Sequence, residues 1–229
     1  MAIIVVGGGS KGVGKTALVC GLVAALPEYP WTAVKISTHE LGLGEPAFPH
    51  LFEGEADERE SEPAHVSEST IWEETTAGQG TDTARYLAAG AQRAFLCPLL
   101  QRGDPQRQDF SYLLNELRPH FGPGTNLIFE SNSILRHVRP DLCLMVLGLK
   151  DRAEGKPAFA SLKHSYFEAV HHADALVMRC AADGVNPDGM QPSNRPARPI
   201  FQLASMEKIS PEMLAWIKER LPAPAGRDA

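Results

Sequence analysis

The sequence contains no apolar run near the roughly 20 residues that a membrane-spanning helix requires, and it has no excess of positive charge. Its 22 lysine and arginine residues are outnumbered by 28 aspartate and glutamate residues, for a net charge of −6. Nucleic-acid binding through a broad basic face needs clustered lysine and arginine, so this composition argues against it. Any phosphate group that the protein holds must therefore be bound locally, by a few residues.

Cysteine is also scarce, with four residues and no C-x-x-C pair. Each cysteine lies in or beside an apolar run, which favours buried free thiols over a zinc site. The apolar start, Met1 to Val6, runs into glycines without a preceding basic segment, so it does not resemble a secretory leader. These features predict a cytoplasmic protein with no membrane association. The cysteines are Cys20, Cys97, Cys143 and Cys180.

Short apolar runs alternate with helix-like segments, a pattern typical of an α/β fold in which helices flank a mostly parallel sheet. We expect three layers in one domain over residues 1–222, with an acidic insertion at about 42–80 and a disordered tail at 223–229. The predicted strands are Ile3–Val6, Thr32–Ser37, Ala94–Cys97, Asn126–Phe129, Leu142–Leu147, Ala175–Met178 and Pro199–Leu203, with a strand-like piece near Thr70–Trp72. The predicted helices are Lys15–Ala25, Asp82–Ala89, Gln108–Phe121, Ser161–His171 and Pro211–Leu221, the last capped by Ser210.

The first predicted strand leads into a segment that matches G-x-x-x-x-G-K-[ST] without a mismatch. Glycines let successive backbone N–H groups converge on an anion, and the helix that follows directs its positive end at the same point. A lysine at the end of the motif supplies a point charge for phosphate, and the next hydroxyl is a ligand for Mg²⁺. The segment therefore predicts a nucleotide-binding P-loop. The predicted binding residues are Gly9, Ser10, Lys11, Gly12, Val13, Gly14, Lys15 and Thr16.

Two strand ends supply further candidates, because the carboxyl ends of parallel strands face the ligand crevice. Glu130 follows one strand and is predicted to hold Mg²⁺ together with Thr16, although capping of the next helix would also explain it. His39 and Glu40 follow the second strand. There they are candidates for contacting a substrate, a metal or the attacking water, or they merely begin the long loop.

The segment Asp82 to Arg85 contributes one more candidate. Asp82 is expected to be the N-cap of its helix. Arg85, one turn later, could bind phosphate in a bidentate manner or pair with Asp82. Together with the P-loop, these residues make Lys15, Glu130 and His39 the predicted catalytic groups.

Several of these segments resemble the molybdopterin-guanine dinucleotide biosynthesis protein B family. The resemblance is carried by the start of the chain through Lys15-Thr16, by Val34-Lys35-Ile36 with His39, and by Asp82-Thr83-Ala84-Arg85 followed by Ala89-Gly90-Ala91. It covers roughly the first 150 residues. It implies a P-loop GTPase-like fold, often dimeric, that binds Mg²⁺ and a purine nucleotide. No N-K-x-D guanine-reading motif occurs, so the choice between ATP and GTP stays open.

Three functions fit these features. The first is Mg²⁺-dependent binding and hydrolysis of a purine nucleotide, coupled to a partner protein or to cofactor assembly. The second is a small-molecule kinase on the same scaffold, in which the insertion closes over the acceptor. The third is a nucleotide-binding adaptor without turnover. The reaction product would separate the first two, and the effect of Glu130→Gln would identify the third.

Overall fold

The protein forms a three-layer α/β fold around one eight-stranded sheet, as predicted. The computed structural model describes residues 1–39, 71–100, 110–147, 164–179 and 198–224. The strands are β1 (Ile3–Gly8), β2 (Trp31–His39), β3 (Trp72–Glu74), β4 (Arg93–Leu100), β5 (Asn126–Glu130), β6 (Leu142–Leu147), β7 (Ala175–Arg179) and β8 (Ile200–Leu203). The helices are α1 (Lys15–Ala25), α2 (Asp82–Ala88), α3 (Phe110–Leu117), α4 (His164–His172) and α5 (Pro211–Lys218), with short 3-10 turns at Arg118–His120 and Ser133–Arg136.

The strand order is β3-β4-β2-β5-β1-β6-β7-β8, and every pairing is parallel except that of β3 with β4. The central strands are buried on both faces, which explains their continuous apolar sequences. Val6 of β1 and Lys35 of β2 both lie opposite Glu130 of β5. This register brings the ends of three strands together where the P-loop begins.

The two faces of the sheet bury different side chains, as the alternation of a strand requires. Ile4 and Val6 pack on one face with residues of α1, α2 and α5. Val5 points to the opposite face, where Leu113 and Leu117 of α3 join it. Helix α4 covers the remaining part of that second face, against β6 and β7.

Most strands extend beyond their predicted bounds by one to three residues, and several helix ends also differ from the prediction. Thr81, and not Asp82, is the N-cap of α2, because its hydroxyl accepts a hydrogen bond from the Ala84 N–H at 3.0 Å. Helix α3 gives way to a 3-10 turn that contains Pro119, which has no N–H for the helical ladder. Helix α5 ends at Lys218, shortly before Pro222, although Ser210 caps it as predicted.

Some predictions fall wholly or partly outside the described residues. These are most of the acidic insertion, Glu40, the predicted starts of α3 and α4, and residues 225–229 of the predicted tail. Strand β3 lies within the insertion and begins at Trp72, later than the strand-like piece predicted near Thr70. None of the helices in the described ranges is long and apolar enough to cross a membrane.

Gly21 in α1 marks a close approach between this helix and the loop after β8. A Cβ at this position would lie 2.8 Å from the Met206 carbonyl oxygen and 2.9 Å from the Glu207 carbonyl carbon, and backbone atoms cannot move aside easily. Alanine would gain about 1 kcal/mol of helix propensity, but overpacking costs about 1–3 kcal/mol. We expect Gly21→Ala to lower the free energy of unfolding in urea titrations.

Gly78→Ala is the matched control, since a Cβ there meets no atom within 4 Å. It should leave the free energy of unfolding nearly unchanged. Equal stability of the two variants would show that the loop after β8 does not pack against α1 as described.

Candidate functional site

The P-loop forms a tight turn between β1 and α1. Gly12 and Gly14 have positive φ angles of 79° and 107°, a region that side chains with a Cβ rarely adopt. Gly14 is the N-cap of α1, and no side chain caps the helix. The first N–H groups of α1 are therefore left for another acceptor, which is the arrangement of an anion site at a helix N-terminus.

The Lys15 side chain folds back over this turn. Its Nζ donates a hydrogen bond to the Ser10 carbonyl oxygen at 2.8 Å, so the ammonium spans the loop from its last residues to its first. A phosphate bound in the turn would lie within reach of the same ammonium.

The loop after β5 holds the start of the P-loop in place. The Gly8 N–H donates to Asn132 Oδ1 at 2.9 Å, and Asn132 Nδ2 donates to the Gly8 carbonyl oxygen at 3.0 Å. The Ser131 N–H extends the link by donating to the Val6 carbonyl oxygen at 3.1 Å. One side-chain amide thus pairs with both backbone groups of Gly8 at the carboxyl end of β1.

Glu130 lies beneath the P-loop, with only 5% of its surface exposed. Its Oε2 accepts a hydrogen bond from the Thr16 hydroxyl at 2.8 Å and a second one from the Tyr86 hydroxyl. Burial, and then the Glu130 carboxylate, raise the pKa of Tyr86 well above its ordinary value, so this hydroxyl remains a donor. Glu130 is therefore oriented by residues from α1 and α2 and does not cap the following 3-10 turn.

Lys35 adds a charge partner on the other side of Glu130. Its Nζ lies 3.2 Å from Glu130 Oε1 and also donates to Asp82 Oδ2. Burial disfavours the charged form of this ammonium, but Glu130 and Asp82 outweigh burial, and the pKa of Lys35 lies above its ordinary value. Lys35 is thus a permanent cation in the interior of an otherwise apolar strand segment.

Arg85 lies between Asp82 and Glu207, a residue of the loop after β8. Its guanidinium lies 3.7 Å from Asp82 Oδ1 and 2.9 Å from Glu207 Oε1. Of the two interactions considered for Arg85, pairing with Asp82 is present, and Glu207 is an additional partner. A contact of Arg85 with phosphate remains a prediction.

These residues surround a cleft of about 660 Å³, within the usual range of small-molecule sites. Most of the predicted site residues line it, and of those whose side chains the structure describes, Gly9 and Val13 are not part of the lining. His39 is the last residue of β2, and its side chain lies outside the description. The lining residues are Gly8, Ser10, Lys11, Gly12, Gly14, Lys15, Thr16, Ala17, Lys35, Ile36, Ser37, Thr81, Asp82, Thr83, Arg85, Leu96, Glu130, Ser131, Asn132 and Ser133.

The donor set beside the P-loop fits Mg²⁺. The Thr16 hydroxyl and the Glu130 carboxylate are oxygen ligands, and Mg²⁺ prefers oxygen and keeps several of its waters when bound near phosphates. Since the Thr16 hydrogen is directed to Glu130, the lone pairs of its oxygen are left for a cation. Within the described ranges, no three His, Cys, Asp or Glu residues converge on another metal site.

Three cysteines are buried free thiols, namely Cys20, Cys97 and Cys143. Burial raises the pKa of Cys20 to about 11 and that of each of the other two to about 12. At neutral pH these thiols are protonated and poor nucleophiles or metal ligands. Cys180 lies outside the described residues.

Three residues of this site, namely Lys35, Tyr86 and Asn132, were not predicted from the sequence. Lys35 was detectable as a single charge between the apolar Val34 and Ile36 of a buried strand, a position that usually needs a partner. Asn132 and Tyr86 gave no comparable signal. Their roles depend on contacts with Gly8 and Glu130, which are 124 and 44 residues away along the chain.

No protein-family model and no curated protein sequence matches the chain. Among solved structures, the ATP complex of "apo" LpxK from Aquifex aeolicus is similar at 18% identity, with a TM-score of 0.43, covering 88% of this chain and 53% of that one. This chain thus spans about half the length of LpxK. Two structures of Bacillus subtilis MobB are 16% and 14% identical, with TM-scores of 0.40 and 0.37, each covering 97% of this chain and 99% of that chain.

MobB is a molybdopterin-guanine dinucleotide biosynthesis protein B, so the family that the sequence resembles is represented among these structures. At such values the likeness concerns the overall arrangement of strands and helices. It assigns no ligand or activity to this chain.

Proposed function

We propose that the protein binds a purine nucleoside triphosphate with Mg²⁺ at the P-loop and hydrolyses it. The observation that carries this proposal is the 2.8 Å hydrogen bond from the Thr16 hydroxyl to Glu130, directly below the uncapped start of α1. An anion site at the start of α1 and a cation site at Thr16 and Glu130 therefore lie in the same cleft. A nucleotide with its metal is a ligand that needs both.

In this proposal each part of the site has one task. The backbone N–H groups of Gly9 to Thr16 hold the β- and γ-phosphates, and Lys15 neutralises their charge. Thr16 and Glu130 hold Mg²⁺, which when bound would draw negative charge from the phosphate oxygens. Tyr86 and Lys35 keep Glu130 oriented towards Thr16.

Hydrolysis would consist of attack by water on the γ-phosphorus. The bond to the bridging oxygen breaks, its electron pair leaves with the nucleoside diphosphate, and the water proton is released with inorganic phosphate. P-loop hydrolases that lack a complete set of stabilising charges turn over slowly until a partner supplies the missing one. We expect a low basal rate and propose that a partner protein accelerates it. A role in cofactor assembly would be one such coupling.

A second candidate function is transfer of the γ-phosphoryl group to a small molecule. The extent of the cleft favours it, because the cleft continues past the P-loop to Ser37, Asp82, Thr83 and Leu96. This region lies beyond the phosphate-binding turn and has room for an acceptor. Among the described residues that line the cleft, Asp82, with about a third of its side chain exposed, is a more exposed carboxylate than Glu130.

The product distinguishes these functions. Purified protein is incubated with γ-labelled ATP or GTP and Mg²⁺, either alone or with an extract of small metabolites. Free phosphate, the nucleoside diphosphate and any labelled acceptor are then quantified. The proposal predicts equal amounts of free phosphate and diphosphate in both incubations. Label in an acceptor would instead identify a kinase, and nucleotide binding without either product would identify an adaptor.

A further inference from the structure

We propose that Lys35 is a second cation for the terminal phosphate of the bound nucleotide, acting from β2 opposite Lys15. This inference rests on the proposed function and adds a residue to its phosphate site. It means that the chain itself supplies part of the charge that many P-loop hydrolases receive from a partner.

The sheet register places Lys35 level with the end of β1, where the P-loop begins. Glu130 pairs with Val6 on one side and with Lys35 on the other. Val6 directly precedes the glycines of the P-loop, so Lys35 lies two strands from the loop at the same level of the sheet. Lys15 approaches the cleft from the loop itself. A terminal phosphate beside Thr16 would therefore lie between the two lysines.

The Lys35 ammonium can contact a phosphate in addition to making its hydrogen bonds to Asp82 and Glu130. It has three N–H donors, and of the described residues Asp82 and Glu130 accept from it. Its side chain is 18% exposed and lines the cleft. One N–H is thus left for an acceptor that enters the cleft.

The ion pair with Glu130 explains the charge of Lys35 but not the exposure of its side chain to the cleft. Glu130 also accepts hydrogen bonds from Thr16 and Tyr86, and Asp82 has Arg85 within 3.7 Å. Removing Lys35 alone would leave the buried Glu130 carboxylate without this cationic partner, which destabilises a protein strongly. The experiment therefore has to separate the contribution of Lys35 to folding from its contribution to the phosphate site.

The contact should strengthen as the phosphoryl group is transferred, because negative charge spreads over its equatorial oxygens. Removal of one preorganised donor of this kind lowers kcat by about 100- to 1,000-fold. We expect Lys35→Met to lower kcat to this extent, while the KM for the nucleotide changes by less than about 10-fold. Lys35→Arg, which keeps the charge, should recover part of the rate.

The experiment compares wild type with Lys35→Met, Lys35→Arg and Lys208→Met. Lys208→Met is the matched control, since Lys208 loses the same charge but lies outside the cleft lining. kcat and KM are measured at saturating Mg²⁺, and the Mg²⁺ concentration for half-maximal activity is measured separately. Binding of the nucleoside diphosphate is measured with and without aluminium fluoride, which mimics the transferred phosphoryl group. Aluminium fluoride should tighten the binding of the nucleoside diphosphate to wild type much more than its binding to Lys35→Met.

Two results would overturn the inference. One is an unchanged kcat in folded Lys35→Met, and the other is a loss that excess Mg²⁺ fully restores, which would limit Lys35 to positioning Glu130. If Lys35→Met does not fold, a weaker enhancement by aluminium fluoride in Lys35→Arg than in wild type supports the contact, and equal enhancement in the two proteins overturns it. Failure of wild type to bind nucleotide would be a failure of the proposed function, which the same titrations reveal.

Discussion

Lys15→Ala should lose at least about 100-fold in nucleotide affinity, equivalent to about 2.7 kcal/mol. The Lys15 ammonium folds over the P-loop and contacts the Ser10 carbonyl oxygen, so it is already positioned over the turn that would hold phosphate. Charge-assisted hydrogen bonds to phosphate are among the stronger polar contacts in proteins. Titration of a fluorescent nucleotide analogue in the presence of Mg²⁺ measures the change.

Folding must be shown to be intact in this variant. Lys208→Ala serves as the control for loss of a lysine, and thermal unfolding reports the stability of both variants. Lys15 lies at the surface of the cleft, so we expect little change in stability. Tight binding retained by Lys15→Ala would mean that the nucleotide does not occupy the P-loop.

Glu130→Gln should lower the rate of hydrolysis by at least about 100-fold while nucleotide affinity falls much less. The amide keeps the size of the side chain but removes the negative charge next to Thr16. It also brings an NH2 group towards hydroxyl and ammonium donors, where the carboxylate accepts from Thr16, Tyr86 and Lys35. Steady-state hydrolysis at several Mg²⁺ concentrations, together with binding isotherms, measures both effects.

Glu130→Asp provides the comparison that keeps the charge but shortens the side chain by one methylene. It should retain more activity than Glu130→Gln if charge is the main requirement. Turnover of Glu130→Gln equal to that of wild type would remove Glu130 from the mechanism. Because Glu130 is buried, the free energy of unfolding of each variant is measured in parallel.

The sequence predicted the parts of the site that depend on local chemistry. The P-loop match specifies glycines, a lysine and a hydroxyl in fixed order, and the predicted bounds of α1 agree with the structure. The buried parallel strands were recognisable from their apolar runs, and the bounds of β6 were predicted to the residue. Both features follow from neighbouring residues, so one sequence contains the required information.

Contacts between distant segments could not be predicted in this way. The position of Arg85 depends on Glu207, 122 residues away, and the orientation of Glu130 depends on α1, α2 and β2 together. The N-cap of α2 was assigned to Asp82, although Thr81 fulfils it and leaves Asp82 free to bind Lys35. Adjacent residues that can both cap a helix are distinguished by tertiary partners, which the sequence does not show.

The central claim is that the P-loop and Glu130 together bind a nucleoside triphosphate with its metal. Isothermal titration calorimetry of wild-type protein with ATP and with GTP, each with and without Mg²⁺, tests it most directly. We expect at least one nucleotide to bind at one site per chain, and Mg²⁺ to tighten its binding. Absence of binding by both nucleotides, or binding that Mg²⁺ does not change, would contradict the account.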